Sequence, residues 1–200
     1  MAVTVDSGLI IGLLITGEVY RKLTEGGPVV PWAKVVWNVG GIPKHSFLAW
    51  LFVLNRCPTR DRIAGWGLQT DLNCLLCNVG LESRDHLLFD CRFSWSVWSR
   101  MARRCNIQPR RGWLNSVEQM QSLQGGKSRK RLTTLVWQAT IYWLWHERNG
   151  RLHLQIFMSE DSLLGQIDRQ IKNRIASYRD GNTILASNLL QLWLSTETTR

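Results

Sequence analysis

Four residues constrain this chain more than any other feature: Cys74, Cys77, His86 and Cys91, spaced C-x2-C-x8-H-x4-C. Three thiols and an imidazole are donors that zinc takes in a closed tetrahedral site, and C-x2-C supplies two of them from one tight turn. The spacing predicts one structural Zn²⁺ ion with no coordination position left for water. Asn78 and Gly80, just after the second cysteine, tolerate the left-handed backbone that such a turn needs. The interval from His86 to Cys91 is more demanding. On an ideal α-helix, five residues rotate by roughly 500°, so the two side chains would diverge by about 140°. A break in the helix near Asp90 is therefore expected. Three thiolates and a neutral imidazole leave the centre one negative charge in excess, and Arg84 and Arg92 flank it with the opposite sign. The free nitrogen of His86 calls for a carboxylate or carbonyl partner, with Glu82 and Asp90 as candidates. Five cysteines are an odd count, which argues against a disulfide framework. Cys57 and Cys105 read as spare buried thiols. The competing reading, core cysteines beside an unrelated histidine, accounts for neither the spacing nor the donor types.

Around these residues the apolar pattern is helical. Pro43 sits where a helix can begin, and Phe47, Leu48, Leu51, Phe52 and Leu54 follow at helical spacing. Thr59 can cap a short second helix carrying Ile63 and Trp66. A third helix bears Phe93, Trp95, Val97, Trp98 and Met101. Residues 124–131 read as a polar basic linker. Beyond them, residues 132–149 form a strongly apolar helix ended by Asn149 and Gly150. Residues 159–179 carry an amphipathic stripe of Leu163, Leu164, Ile167, Ile171, Ile175 and Tyr178, and residues 185–194 make a last short helix. The expected fold is mainly α: a small helical zinc-binding module followed by a helical tail. It divides into an N-terminal extension (1–31), the zinc module (32–108), a basic linker (109–131) and a helical C-terminal region (132–200). The longest apolar run, residues 9–15, is far short of the ~20 residues that span a bilayer. It lacks the basic leader of a secretory signal, although its small residues leave a degraded signal as an alternative. No membrane association is expected, and the nucleus or cytoplasm is favoured over secretion.

The order of these features resembles a known family. Trp32, Trp37 and the run Ile42-Pro43-Lys44-His45-Ser46-Phe47-Leu48-Ala49-Trp50-Leu51 are similar to the opening of the zinc-binding domain downstream of reverse transcriptase in plant LINE-type (non-LTR) retrotransposons. Pro58-Thr59-Arg60-Asp61-Arg62, Cys74, Cys77, Glu82, Asp85-His86-Leu87, Cys91 and Val97-Trp98 continue the resemblance in the same order. Trp143, Trp145 and Glu147-Arg148-Asn149 resemble the tail that often follows that domain. The resemblance implies zinc at Cys74, Cys77, His86 and Cys91, and a history inside a polyprotein that copies RNA into DNA.

Charge points to the class of partner. The chain carries 25 Lys+Arg against 15 Asp+Glu, a net +10, which favours a polyanion. Between Arg92 and Arg131 there are ten basic residues and one acid, Glu118. Arg100, Arg103 and Arg104 share a helical face, and Lys127, Arg129, Lys130 and Arg131 crowd the linker; these seven are the candidate contacts to RNA or single-stranded DNA. Eleven tryptophans could stack on unpaired bases. The plainer reading packs Trp37, Trp50, Trp66, Trp95 and Trp98 around the metal site as core. No enzyme is expected. A polymerase needs paired aspartates for two metal ions, and no Asp-Asp dipeptide occurs. Gly126-Lys127-Ser128 imitates a phosphate-binding loop, but Gln121 stands where its first glycine is required, and Gly150 stands where His146-Glu147 would need a second histidine. A zinc-stapled protein-interaction domain, with a protein partner docking on the tail, is the alternative. A relic of a reverse transcriptase polyprotein without selected function is the third reading.

Overall fold

A computed structural model describes residues 30–195. The expectations for the N-terminal extension and its apolar run lie outside these residues. Among the described residues the chain is helical apart from one antiparallel bridge, Asn73 to Leu81. The helices are α1 (Ala33–Val36), α2 (Pro43–Val53), α3 (Arg60–Gly65), α4 (Arg92–Arg104), α5 (Trp113–Gln121), α6 (Lys127–Leu154), α7 (Glu160–Ala176) and α8 (Thr183–Leu194). A π-helical turn, His86–Asp90, precedes α4.

The long α6 is the axis of the fold. From Leu132 to Ile141 every side chain is buried, as a helix that is covered on all sides requires. α2, α4, α7 and α8 pack against it. Polar side chains inside this stretch find local or tertiary partners. Thr134 and Thr140 donate back to the carbonyls of Lys130 and Val136. Gln138 donates to the carbonyls of Val35 and Val36, both at 2.8 Å, and so ties down the end of α1. The aromatic centre of the core joins distant segments: Phe89 of the π-turn stacks on Trp137 of α6, with Trp98 and Trp113 against its other sides.

The element boundaries follow the periodicity closely. Pro43 occupies the first turn of α2. Ser159 caps α7 through its hydroxyl, accepting from the Ser162 amide. Three features differ from expectation. Residues 109–131 are not a linker, because they contain α5 and the first five residues of α6. The helix expected to stop at Asn149-Gly150 runs on to Leu154 and ends at Gln155 in a left-handed conformation. Arg151 is held from both sides there, by Glu147 one turn back and by two backbone carbonyls of the metal-binding segment, and these contacts outweigh the local preference of glycine to end a helix. Finally, one core runs without interruption from Val35 to Trp193, so module and tail share their interior. Of the five tryptophans assigned to the core, Trp98 is fully buried, Trp37, Trp50 and Trp95 are half-buried, and Trp66 is exposed. Trp113, Trp137 and Trp193 are the others that fill it.

Candidate metal centre

The segment between α3 and α4 folds into a knuckle and a π-turn that face each other. Cys74 donates its amide to the Gly80 carbonyl, and the Asn78 amide returns to the Cys74 carbonyl, closing a tight loop. Asn78 takes the left-handed conformation at φ 55°, as the turn requires. Gly80 is needed for another reason than its expected backbone freedom. A Cβ there would lie 2.4 Å from Cε1 of His86, so the imidazole rests on bare backbone.

The π-turn solves the spacing problem between the last two donors. The helix widens into a π-turn and then breaks after Asp90, where a break was expected: the Cys91 amide bonds to the His86 carbonyl at 2.6 Å, an i to i+5 closure, and Cys91 itself is extended. Residues five apart thus return to the same side, which an α-helix would forbid. Ser83 receives the His86 amide, and Ser94 donates to the Leu87 carbonyl to brace the turn.

These local structures bring Cys74, Cys77, His86 and Cys91 together, with all four donor atoms within 4.8 Å of one another. Cys74 Sγ to Cys91 Sγ is 3.9 Å, and Cys77 Sγ to His86 Nε2 is 3.3 Å. A tetrahedron with Zn–S near 2.3 Å places its sulfurs about 3.8 Å apart, so the donor set fits zinc in both chemistry and size. The three cysteines are buried and the histidine is half-buried. Cys74 donates to Cys91, which raises the Cys74 pKa, an effect that burial reinforces. The same hydrogen bond holds the Cys91 thiol down at about 5, against burial and with help from the amides of Ser94 and Phe93 at the start of α4. A closed Cys₃His shell is the coordination of a structural site. Cys57 and Cys105 lie elsewhere in the core, both pushed up to about 12 by burial.

The surroundings differ from the sequence expectation. Glu82 and Asp90 do not serve His86. Glu82 is fully buried, accepting from Arg148 at 2.8 and 3.1 Å and from the amides of Arg60 and Leu75. Asp90 receives the Gly112 amide and Asp85 the Trp113 amide, and the two carboxylates satisfy the first turn of α5. Arg84 pairs with Asp85 and lies over Trp113, while Arg92 is exposed. Arg60 bonds the Asn73 carbonyl beside the knuckle, and Arg151, on a helix assigned to the tail, bonds the Leu75 and Leu76 carbonyls within it; nothing in the local spacing announces Arg151. Of the candidate phosphate contacts, Arg100 pairs with Asp161 at 2.7 Å, and Arg104 pairs with Asp168 at 2.8 Å and lies 3.7 Å from the Trp193 ring. Arg103, Lys127, Arg129 and Lys130 are exposed, and Arg131 is half-buried.

Residues 15–98 match the family model described as zinc-binding in reverse transcriptase. The match covers less than half of the chain, contains all four donors, starts ahead of Trp32 and stops inside α4. No curated protein and no solved structure gives a significant match to the chain. No helix among the described residues is long and apolar enough to cross a membrane.

Proposed function

We propose that this chain is a non-catalytic module of retrotransposon origin, of the plant LINE type, that holds one structural zinc ion. It binds RNA or single-stranded DNA weakly through one basic edge and acts in the nucleus or cytoplasm. The carrying observation is the charge at the start of α6. Lys127, Arg129 and Lys130 are exposed in its first turns, and no acidic residue accompanies them. The N-terminus of a helix is its positive end, so cations there are unfavourable by about 0.3–1 kcal/mol each unless an anion covers them. The end of α4 lies alongside, since Arg104 and Arg129 both act on the thiol of Cys105. Arg103, exposed in the last turn of α4, is the further cation of this reading. Arg104 contributes structure instead, being engaged by Asp168 and Trp193.

Fluorescence anisotropy with a labelled single-stranded oligonucleotide, over a range of salt concentrations, tests this reading. Changing Lys127, Arg129 and Lys130 together to Ala should weaken binding to every sequence and reduce the salt slope by about three phosphate contacts. Arg104→Ala should leave the slope unchanged. Affinity that ignores both salt and the triple change would refute nucleic-acid binding. It would favour the protein-partner reading, which rests on Leu154, Ile156 and Phe157, exposed at 66%, 56% and 65% beside the end of α6.

A further inference from the structure

The four donors lie within the matched residues, but Arg151, which holds two carbonyls of the knuckle, does not. Two peptide units of the knuckle aim their N–H groups at Cys74 Sγ: those of Leu76 and Cys77. The carbonyls of the same two units, Leu75 O and Leu76 O, are both taken by Nη1 of Arg151, at 3.1 and 2.9 Å. One guanidinium therefore grips the outer ends of the peptides whose inner ends point at the sulfur. A cation on a carbonyl oxygen polarises the amide and strengthens the hydrogen bond that its N–H donates.

Arg151 is itself fixed. Its Nε bonds Glu147 at 2.6 Å, and its plane lies over Phe93 at 4.7 Å and Phe157 at 5.4 Å. Glu147 is 1% exposed and also receives the Met158 amide. Next to it, Arg148 holds Glu82, whose other oxygen takes the Leu75 amide. The knuckle is thus gripped on successive peptides from one turn of α6, by Arg151 directly and by Arg148 through Glu82.

We propose that the end of α6 is part of the metal centre, with Arg151 the positioning residue that orients the Leu75–Cys77 peptides toward Cys74 and sets how long a zinc ion is retained. The excess negative charge of a Cys₃His zinc centre makes this cation effective, since its side chain is only 10% exposed and is aligned with the peptide dipoles. The proposal rests on the zinc reading and extends the centre some fifty residues past the end of the family match.

The test is zinc release from the full chain into excess chelator, followed with a chromogenic indicator. Arg151→Ala and Arg151→Gln should accelerate release by about 10–100-fold, the usual scale for lost outer-shell partners. Arg151→Lys, which keeps the charge near the carbonyls, should recover most of the loss. Arg174→Ala is the matched control, because Arg174 grips the carbonyls of Gly40 and Gly41 in the same way, at 3.0 and 3.1 Å, away from the centre. It should lower the melting temperature without changing release. Should Arg151→Ala fail to fold, Arg151→Gln, which retains donors and volume, carries the comparison with Arg151→Lys. Release within twofold of the parent in the folded Arg151 variants, or equal acceleration in Arg174→Ala, overturns the proposal. A parent chain that takes up no zinc overturns the zinc reading itself.

Discussion

Replacing Arg148 with Met isolates the strongest electrostatic commitment in the fold. Arg148 and Glu82 are 2% and 0% exposed, and the guanidinium donates twice to one carboxylate oxygen. It also donates to the Pro58 carbonyl and lies over Trp145. Methionine keeps most of the volume but leaves the Glu82 charge with only the amides of Arg60 and Leu75. Breaking a buried pair from one side costs about 3–5 kcal/mol, because the remaining charge stays desolvated. For a domain of this size each kcal/mol lowers Tm by about 2–4 °C, so the expected drop is roughly 6–20 °C. Thermal and urea unfolding followed by far-UV circular dichroism measures it. Glu82→Gln removes the charge and keeps a hydrogen-bonding group in place. The double variant should therefore lose at least about 1 kcal/mol less than the sum of the singles. Strict additivity, or a loss under about 1 kcal/mol for Arg148→Met, would show that Glu82 does not depend on Arg148.

Two further outcomes follow from single contacts. Gly80→Ala should displace the His86 ring from the bare backbone it rests on, and metal analysis should find zinc retention sharply reduced while Gly181→Ala, with open space around its Cβ, retains it. His45 is fully buried, neither of its ring nitrogens has a hydrogen-bond partner, and burial, then the neighbouring Lys44 charge, lowers its pKa from 6.5 to about 3. Between those values the unfolded chain binds a proton that the folded chain does not, so stability falls as the medium is acidified, by up to about 1.4 kcal/mol per pH unit. His45→Phe, which preserves the stack on Tyr142, should flatten this part of the stability–pH curve; parallel curves for parent and variant would refute the assignment.

What the sequence disclosed and what it concealed divide along one physical line. Periodicity reports which face of a segment is buried, and a cap or a ligand spacing reports on neighbours within one or two turns. Pro43, the Leu163–Ile175 stripe and the Cys₃His spacing are all signals of that range, and each is found where it was expected. The misplaced features depend on partners far along the chain. α5 is preceded by Gly112, which has φ 77° and no side chain to offer as a cap, so no local signal marks its start. Its first amides are satisfied by Asp85 and Asp90, more than twenty residues earlier. The same holds for Arg104: on its own helix it is one of three cations on a face, and only the packing of α7 and α8 supplies Asp168 and Trp193 to engage it. Arg151 is the sharpest instance. In the sequence it follows a glycine that should end a helix, in a segment separated from the knuckle by more than seventy residues. In the fold it joins two peptides of that knuckle to the central helix. Because the knuckle contributes Glu82 and two carbonyls to the burial of Arg148 and Arg151, metal-binding segment and tail each satisfy charges that the other could not leave unpaired. A boundary drawn between them at residue 108 or 131 would cut through those pairs.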